Sequence, residues 1–202
     1  VLSYVEPYAS SACEMVAEVL QYIGDDGIKI KPAEADAMYA GIVIDTNNFM
    51  NQAGVRTFEA AAFLRRNGAD VVRVRKLFRV RLEDYRARAE AIQKAEIYHG
   101  AFAISVCPSE GLESPTVVGA QAANELLDIV GIKASFILTQ MGDTIYFSAR
   151  SIDEINVQII MERLGGGGHR TIAGAQLKGA TIDEAREKLK DLITDMMEKG
   201  EI

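Results

Sequence analysis

The spacing of apolar residues predicts a helix near the start of the chain. Ser11 and Glu14 have the spacing of a capping box, and Gly24 can end the helix in the left-handed conformation. Between them, apolar residues recur at intervals of three and four positions, which is typical of one buried helix face. These residues are Met15, Val16, Val19, Leu20 and Ile23.

Helices are predicted for most of the next 75 residues. The second begins at Pro32 and is expected to end near Gly41, after which the apolar run of residues 42–44 leads directly to Asp45. Two further helices are expected over residues 57–67 and 70–78. Residues 82–98 contain strong helix formers and neither Gly nor Pro, so this segment is predicted to be a connecting helix.

The pattern changes after Gly100 to short runs of β-forming residues. Strands are predicted over residues 101–106, 135–139 and 144–148, and the last two form a hairpin around the turn at 141–143. Helices are predicted over residues 117–130 and after capping boxes that begin at Ser151 and Thr181. Because helices and strands are interleaved, the fold class is mixed α/β in two lobes.

The composition fits a folded protein and excludes some functions. The 202 residues are 49% hydrophobic and 25% charged, with a net charge of −7. Such a charge argues against a chain whose main task is wrapping duplex DNA, and we expect no duplex DNA partner. Residues 65–94 carry a net charge of +6 between two acidic segments. Solvated helix faces that pair with acidic neighbours are the expected explanation, and an RNA-binding surface is the alternative.

The chain has no signal-peptide pattern and no apolar run long enough to span a membrane. It begins at Val1 rather than Met, so we expect it to be a fragment of a longer protein. The two cysteines, Cys13 and Cys107, lie far apart without a nearby His at ligand spacing. Neither a disulfide framework nor a zinc site is indicated, and a reducing compartment is expected.

The run of four glycines, Gly165, Gly166, Gly167 and Gly168, is the most unusual feature of the sequence. Consecutive glycines carry an entropic cost and let a backbone approach a ligand closely, so the run can form an anion-binding nest with His169 at its rim. Arg150, at the end of a predicted strand before a capped helix, can converge on the same phosphate. A tightly packed glycine turn without a ligand is the alternative.

Asp45 is the second candidate for chemistry. A carboxylate that follows an apolar run and precedes Thr46, Asn47 and Asn48 suits a hard cation such as Mn²⁺ or Mg²⁺. One aspartate does not make a metal site, and Asp45 can equally cap a turn by accepting a bond from its own backbone.

Several stretches resemble a known family. GGGGHRTIAGAQL at 165–177 resembles the signature of the DHHA1 domain, and YVEPYASSACEMV at 4–16 with GIVIDTNNF at 41–49 resembles the later part of a DHH phosphoesterase domain. SARSIDEINVQIIMERLGGGGH at 148–169 and VGAQAANELLDIVGIKASFIL at 118–138 are similar to one branch, the GdpP-type cyclic-di-AMP phosphodiesterases. The resemblance covers nearly the whole chain.

The resemblance implies an architecture and a set of site residues. Residues 1–80 would be the C-terminal part of a DHH domain with a parallel sheet, 81–99 a linker helix, and 100–202 a DHHA1 domain with a mixed sheet. In such enzymes two Mn²⁺ ions activate a water for phosphodiester cleavage. Asp45 would be a metal ligand, and the substrate would contact the residues Arg150, Ser151, Asn156, Gly165, Gly166, Gly167, Gly168 and His169.

The sequence also departs from the family. The His-x-Asp-x-Asp and Asp-His-His motifs that supply the other metal ligands do not occur, so the chain is expected to be inactive alone. Missing strands would leave an exposed edge and apolar surface, which predicts a homodimer, a rearranged N-terminal part or low stability there. The family also implies a longer protein anchored in the cell membrane, with this part facing the cytoplasm.

Three functions remain open from the sequence. The first is the nucleotide-binding part of a phosphodiesterase that converts cyclic-di-AMP to the linear dinucleotide. The second is a nanoRNase or single-strand exonuclease of the same superfamily, which would take short oligonucleotides. The third is a non-catalytic, RNA-binding DHHA1-type module, for which residues 65–94 would be the RNA surface.

Overall fold

Residues 3–23, 29–152 and 154–202 are described by a computed structural model of the chain. The chain divides between Arg79 and Val80 into two units. The described part of the first unit is helical, whereas the second contains a six-stranded sheet and four helices. The mixed α/β class predicted from the sequence is therefore confirmed. Among the described residues, no helix combines the length and apolarity that a membrane crossing requires.

The first unit contains helices α1 (Ala12–Ile23), α2 (Pro32–Asp45), α3 (Val55–Arg66) and α4 (Val71–Leu77). Glu14 of α1 is buried, and its Oε2 accepts a hydrogen bond from Thr57 Oγ1 of α3 at 2.6 Å. At the start of α1, Ser11 Oγ accepts the Glu14 backbone N–H at 3.0 Å, as the capping pattern predicts. The predicted helix end at Gly24 lies outside the described residues.

The parallel sheet expected in residues 1–80 is not found, because residues 3–23 and 29–79 contain no strand. Residues 42–44 belong to the last turn of α2, which runs four residues beyond the predicted end at Gly41. The Thr46 backbone N–H donates to the Ile42 carbonyl at 3.0 Å, and Ile42 is fully buried in the helical core. Short apolar runs fit either a buried helix or a strand, and here the packing of Ile42 favours the helix.

The second unit is built on the mixed sheet that the family resemblance implied. Strands β1 (Glu96–Tyr98), β2 (Phe102–Cys107), β3 (Ala134–Met141), β4 (Thr144–Ser151), β5 (Gly167–His169) and β6 (Ile172–Lys178) lie in the order β1-β2-β3-β4-β6-β5. Only β2 and β3 are parallel, and the other neighbours are antiparallel. The predicted β3–β4 hairpin is confirmed, with Gly142 in its turn at φ +61°.

Four helices cover this sheet unequally: α5 (Leu82–Gln93), α6 (Pro115–Leu126), α7 (Val157–Arg163) and α8 (Ile182–Glu198). Residues of α7 and α8 pack with Phe136 and Phe147 on one face. On the other face, α5 and α6 pack against Ala103 and Ile137 of β2 and β3. The β4 and β6 residues on this second face remain partly exposed, and they form the site described below.

Two predicted helix boundaries are corrected. The helix predicted over residues 82–98 ends at Gln93, because Glu96–Tyr98 pair with β2 through a turn at His99 and Gly100, both with positive φ. The helix expected from the Ser151 capping box begins instead after Asn156, while β4 continues through Ser151. The capping box at Thr181 is present, with Thr181 Oγ1 accepting the Glu184 N–H at 3.2 Å.

Helix α6 packs unusually closely on β3 at Gly119. A Cβ atom at Gly119 would lie 2.6 Å from Thr139 Oγ1 and 3.2 Å from Ile137 Cγ2. Thr139 is 1% exposed, and its hydroxyl is the buried side-chain polar group without a hydrogen-bond partner in the described part of the chain. The helix thus contacts the sheet through backbone at a point where any side chain would overlap it.

We expect Gly119→Ala to destabilise the chain by about 1–3 kcal/mol, the usual cost of inserting a methyl group into a filled core. Urea unfolding followed by far-ultraviolet circular dichroism measures the change. Thr139→Ala in the same chain removes the overlapping hydroxyl and should recover part of the loss. Wild-type stability in the Gly119→Ala chain would contradict the close approach of α6 to β3.

Candidate functional site

A cleft of about 380 Å³ lies over the partly exposed face of β4 and β6. Two pairs of directly opposed residues form its floor, Tyr146 with Gln176 and Ser148 with Gly174. Thr116, in the first turn of α6, borders the cleft on one side. Gly165 and Gly166 border it as well, so the glycine run forms part of the cleft.

The glycine run forms a helix end followed by an edge strand rather than a nest. Gly165, at φ +81°, ends α7, and its N–H donates to the Glu162 carbonyl at 2.9 Å. Gly167–His169 then form β5, which pairs with β6 and is the last strand of the sheet. An edge strand presents backbone N–H and C=O groups that the sheet does not use. The backbone N–H groups that β5 can offer to an anion are therefore those on the open edge of the sheet.

Two glycines of the run are required by packing. A Cβ at Gly166 would overlap the Gly174 carbonyl and come within 2.6 Å of Ala175 Cα. A Cβ at Gly168 would lie 2.5 Å from both Ala173 Cα and the Ile172 carbonyl oxygen, and Gly168 has φ +148°. Backbone atoms cannot move aside as a flexible side chain can. The packed-turn alternative therefore explains Gly166 and Gly168.

Neither a left-handed backbone conformation nor close packing requires a glycine at position 167. Its φ lies outside the left-handed region, and a Cβ built on it would meet no atom of the described residues within 4 Å. It stands directly opposite Gly174, which lies in the cleft floor. Gly167 is half-buried, but the position that a side chain would occupy is open, so a ligand beside the cleft can approach this residue closely.

Arg150 and His169 lie on the same face of the sheet as the cleft floor. Arg150 is directly opposite Ile172 of β6, and Ile172 is directly opposite His169 of β5. Two strand spacings separate the backbones of Arg150 and His169, or about 10 Å. Opposed residues in an antiparallel pair point to the same face. The structure thus brings Arg150, Gly167 and His169 to one face of the sheet, beside the residues that line the cleft.

The Arg150 side chain is held in place before any ligand binds. Its Nε donates to Asn124 Oδ1 of α6 at 3.0 Å, and its Nη1 donates to the Ala149 carbonyl at 2.9 Å. Partial burial lowers the pKa of the guanidinium, since desolvation disfavours the charged form. A partly desolvated cation of this kind attracts an anion more strongly than a fully solvated one.

The structure does not bring Ser151 and Asn156 into the cleft. Ser151 is one residue beyond Arg150 on β4 and therefore points to the opposite face, where its Oγ donates to the Ile155 carbonyl at 2.6 Å. Asn156 caps α7, with its Oδ1 accepting the Gln158 N–H at 3.1 Å. Both side chains therefore have roles in the local fold rather than in the cleft.

Asp45 lies in the first unit, as the exposed last residue of α2. Its charge adds to burial in raising the pKa of the Cys13 thiol, burial being the larger cause. Within residues 3–23, 29–152 and 154–202, no three His, Cys, Asp or Glu side chains are grouped to hold a metal ion. The described residues therefore do not fit a two-metal centre.

Sequence reasoning missed seven of the residues that line the cleft: Thr116, Tyr146, Phe147, Ser148, Gly174, Ala175 and Gln176. A signal for two of them was present, because Tyr146 and Ser148 alternate with the buried residues Ile145 and Phe147 along β4. A period of two places such residues on the face opposite the core. The partial exposure of that face depends on how far α6 reaches across the sheet, and the pattern along β4 does not contain this information.

Comparisons with known proteins show which family the chain resembles. The DHHA1 domain family matches residues 101–195. The chain is 45% identical over 201 residues to "Cyclic-di-AMP phosphodiesterase GdpP" of Geobacillus thermodenitrificans, covering 99% of this chain and 30% of that protein. It is 44% identical over 202 residues to "Cyclic-di-AMP phosphodiesterase PdeA" of Listeria monocytogenes, covering 100% of this chain and 30% of that protein. The chain thus spans about 30% of the length of these relatives.

A solved structure supports the fold. The exopolyphosphatase-related protein from Bacteroides fragilis matches with a TM-score of 0.82 at 20% sequence identity, over 96% of this chain and 59% of that chain. At this identity, the likeness concerns the fold alone.

Single alanine substitutions should separate the roles of the glycines. We expect Gly166→Ala and Gly168→Ala each to destabilise the chain by about 1–3 kcal/mol, because a methyl group would overlap the β6 backbone. Gly167→Ala should remain within about 0.5 kcal/mol of wild type, as is usual for surface substitutions away from special features. Urea unfolding measures all three. Equal destabilisation at the three positions would contradict these roles.

Proposed function

This chain belongs to the DHH/DHHA1 phosphoesterase superfamily, and from that premise we propose that it is the nucleotide-recognition part of a phosphodiesterase that hydrolyses cyclic-di-AMP to the linear dinucleotide. The observation that carries the proposal is the convergence of Arg150, Gly167 and His169 on one face of the sheet beside the cleft. Two proteins named as cyclic-di-AMP phosphodiesterases are 45% and 44% identical to this chain over 99% and 100% of its length, which supports the choice of substrate.

The three groups suit a phosphodiester anion. Arg150 supplies a positive charge and a planar set of donors that matches phosphate oxygens. The open Cβ position of Gly167 admits a phosphate close to the strand, and His169 is exposed at the end of that strand. Because Asn124 already holds Arg150, less side-chain freedom is lost when the anion binds. In this proposal, these residues bind and orient the substrate.

Hydrolysis requires more than the described residues supply. Asp45 is a single carboxylate without two further ligands grouped around it in the described ranges, so the residues do not fit the two Mn²⁺ ions that the family resemblance implied. We therefore assign to this chain the recognition of substrate and derive no metal-dependent step for it. In the proposed enzyme, Asp45 would be one ligand among others that the described residues do not provide.

The proposal extends to the setting of the protein. The cysteines Cys13 and Cys107 are both free thiols, which fits a reducing compartment and a cytoplasm-facing location. Attachment to the cell membrane would be made by segments other than those described, and a homodimer remains part of the proposal. Short linear oligonucleotides carry the same phosphodiester group, so they are the competing substrates.

We expect His169→Ala to weaken cyclic-di-AMP binding by about 1.5–3 kcal/mol, the usual contribution of a hydrogen bond to a charged group. Titration calorimetry with cyclic-di-AMP and with the linear dinucleotide measures the loss for each ligand. His99→Ala is the matched control, since His99 is the other histidine of the chain and its Nε2 lies 3.2 Å from Thr194 Oγ1, away from the cleft. Equal affinities of the two variants would remove His169 from the site.

We expect no hydrolysis of cyclic-di-AMP by this chain when Mn²⁺ is added, because Asp45 lacks partner ligands in the described residues. Chromatography of the nucleotides after prolonged incubation measures the product. Asp45→Asn should leave the affinity for cyclic-di-AMP unchanged. Turnover that rises with Mn²⁺ and disappears in Asp45→Asn would show that a working metal centre had been overlooked.

A further inference from the structure

The sheet face that carries the cleft has two chemically different ends. Arg150 and His169 flank Ile172 at the basic end, which lies beyond the residues that line the cleft, while Tyr146 and Gln176 stand directly opposite each other on the cleft floor. Between them lie Ser148 and Gly174, which place little side-chain volume over the floor. The proposed function uses only the basic end, so the aromatic and amide end has no assigned role.

The spacing between the ends follows from strand geometry. Each step of two residues along a strand advances about 6.6 Å. Gly174, which stands opposite Gly167, is therefore about 6.6 Å from Gln176 along β6. Arg150, at the basic end, is about 13 Å from Tyr146 along β4. A phosphate at Gly167 would leave space for a sugar over Ser148 and for a base against Tyr146.

The side chains at this end suit a nucleobase. Tyr146 is half-buried and offers an aromatic ring, on which any base can stack. Gln176 is exposed on the cleft floor, and a glutamine amide can donate one hydrogen bond and accept another from adenine at N7 and N6. A carboxylate at this position could only accept, and so could not complete the same pair.

The size of the cleft limits what it can hold. Its volume of about 380 Å³ is near the lower end of the range of about 300–1,000 Å³ typical of small-molecule sites. One nucleoside with its phosphate fits this space better than a whole dinucleotide. The second half of a dinucleotide would then extend beyond the cleft.

We propose that Tyr146 and Gln176 form a base-recognition end of the cleft that selects adenine, Tyr146 by stacking and Gln176 by paired hydrogen bonds. This inference rests on the proposed function, because it takes the ligand to be a nucleotide whose phosphate lies at Gly167. It goes further by assigning the choice between adenine and guanine to two residues outside the glycine motif.

The test is titration calorimetry of the full 202-residue chain with cyclic-di-AMP and cyclic-di-GMP. Tyr146→Ala should weaken cyclic-di-AMP binding by about 5- to 150-fold, the usual loss of one stacked base, whereas Tyr146→Phe should retain most of the affinity. Gln176→Glu should lower the preference for cyclic-di-AMP over cyclic-di-GMP by about 5-fold or more, the lower range for one bidentate pair. Gln140→Ala, an exposed glutamine on β3, is the matched control and should change neither.

The outcomes separate the two proposals. If the wild-type chain binds neither dinucleotide, the proposed function fails and this inference fails with it. If His169→Ala loses affinity while Tyr146→Ala and Gln176→Glu behave like Gln140→Ala, only the base-recognition end is wrong. Circular dichroism spectra of each variant show whether a loss of binding comes from a loss of fold, and Tyr146→Phe provides the test if Tyr146→Ala does not fold.

Discussion

The close approach of β5 to β6 is the constraint on which the site depends. A side chain at Gly166 or Gly168 would overlap backbone or Cβ atoms of β6, so the two strands can lie at this distance only without one. The same approach lets the Gly166 N–H donate to the Met161 carbonyl at 2.9 Å, which ties β5 to the buried end of α7. The entropic cost of consecutive glycines is thus offset by packing, and the packing places Gly167 and His169 beside the cleft.

Local charge matters more than net charge in this molecule. The chain carries −7 overall, yet the sheet face that carries the cleft presents the guanidinium of Arg150, and the field at a concave site depends on the nearest charges. Part of the basic segment of residues 65–94 is paired with acidic residues: Arg73 pairs with Asp36, Arg81 with Glu113 and Arg88 with Glu125. These pairs agree with the prediction of solvated helix faces, and they leave fewer free cations for the alternative RNA surface.

The sequence predicted those parts of the fold that depend on local signals. The Thr181 capping box and the hairpin at residues 141–143 are set by neighbours within a few positions, and both are present. The errors arose where distant packing decides, as in the extension of α2 through Ile42 and the early end of α5 before β1. Ser151 is a different case. Neighbouring residues of a strand point to opposite faces, so Ser151 and Arg150 cannot share a face once β4 is known to extend to Ser151.

The same period explains why four glycines stand together. Gly166 and Gly168 face Ala175 and Ala173, on the side of the sheet that carries the larger core, and both are excluded from having a side chain. Gly167 lies between them and stands opposite Gly174, while Gly165 lies at the end of α7 with positive φ. Helix termination, strand packing and an open Cβ position therefore fall on consecutive residues for separate physical reasons. Gly165 and Gly166 border the cleft and Gly167 lies beside it, so a run whose glycines have different structural roles still presents three of them to one ligand-accessible surface.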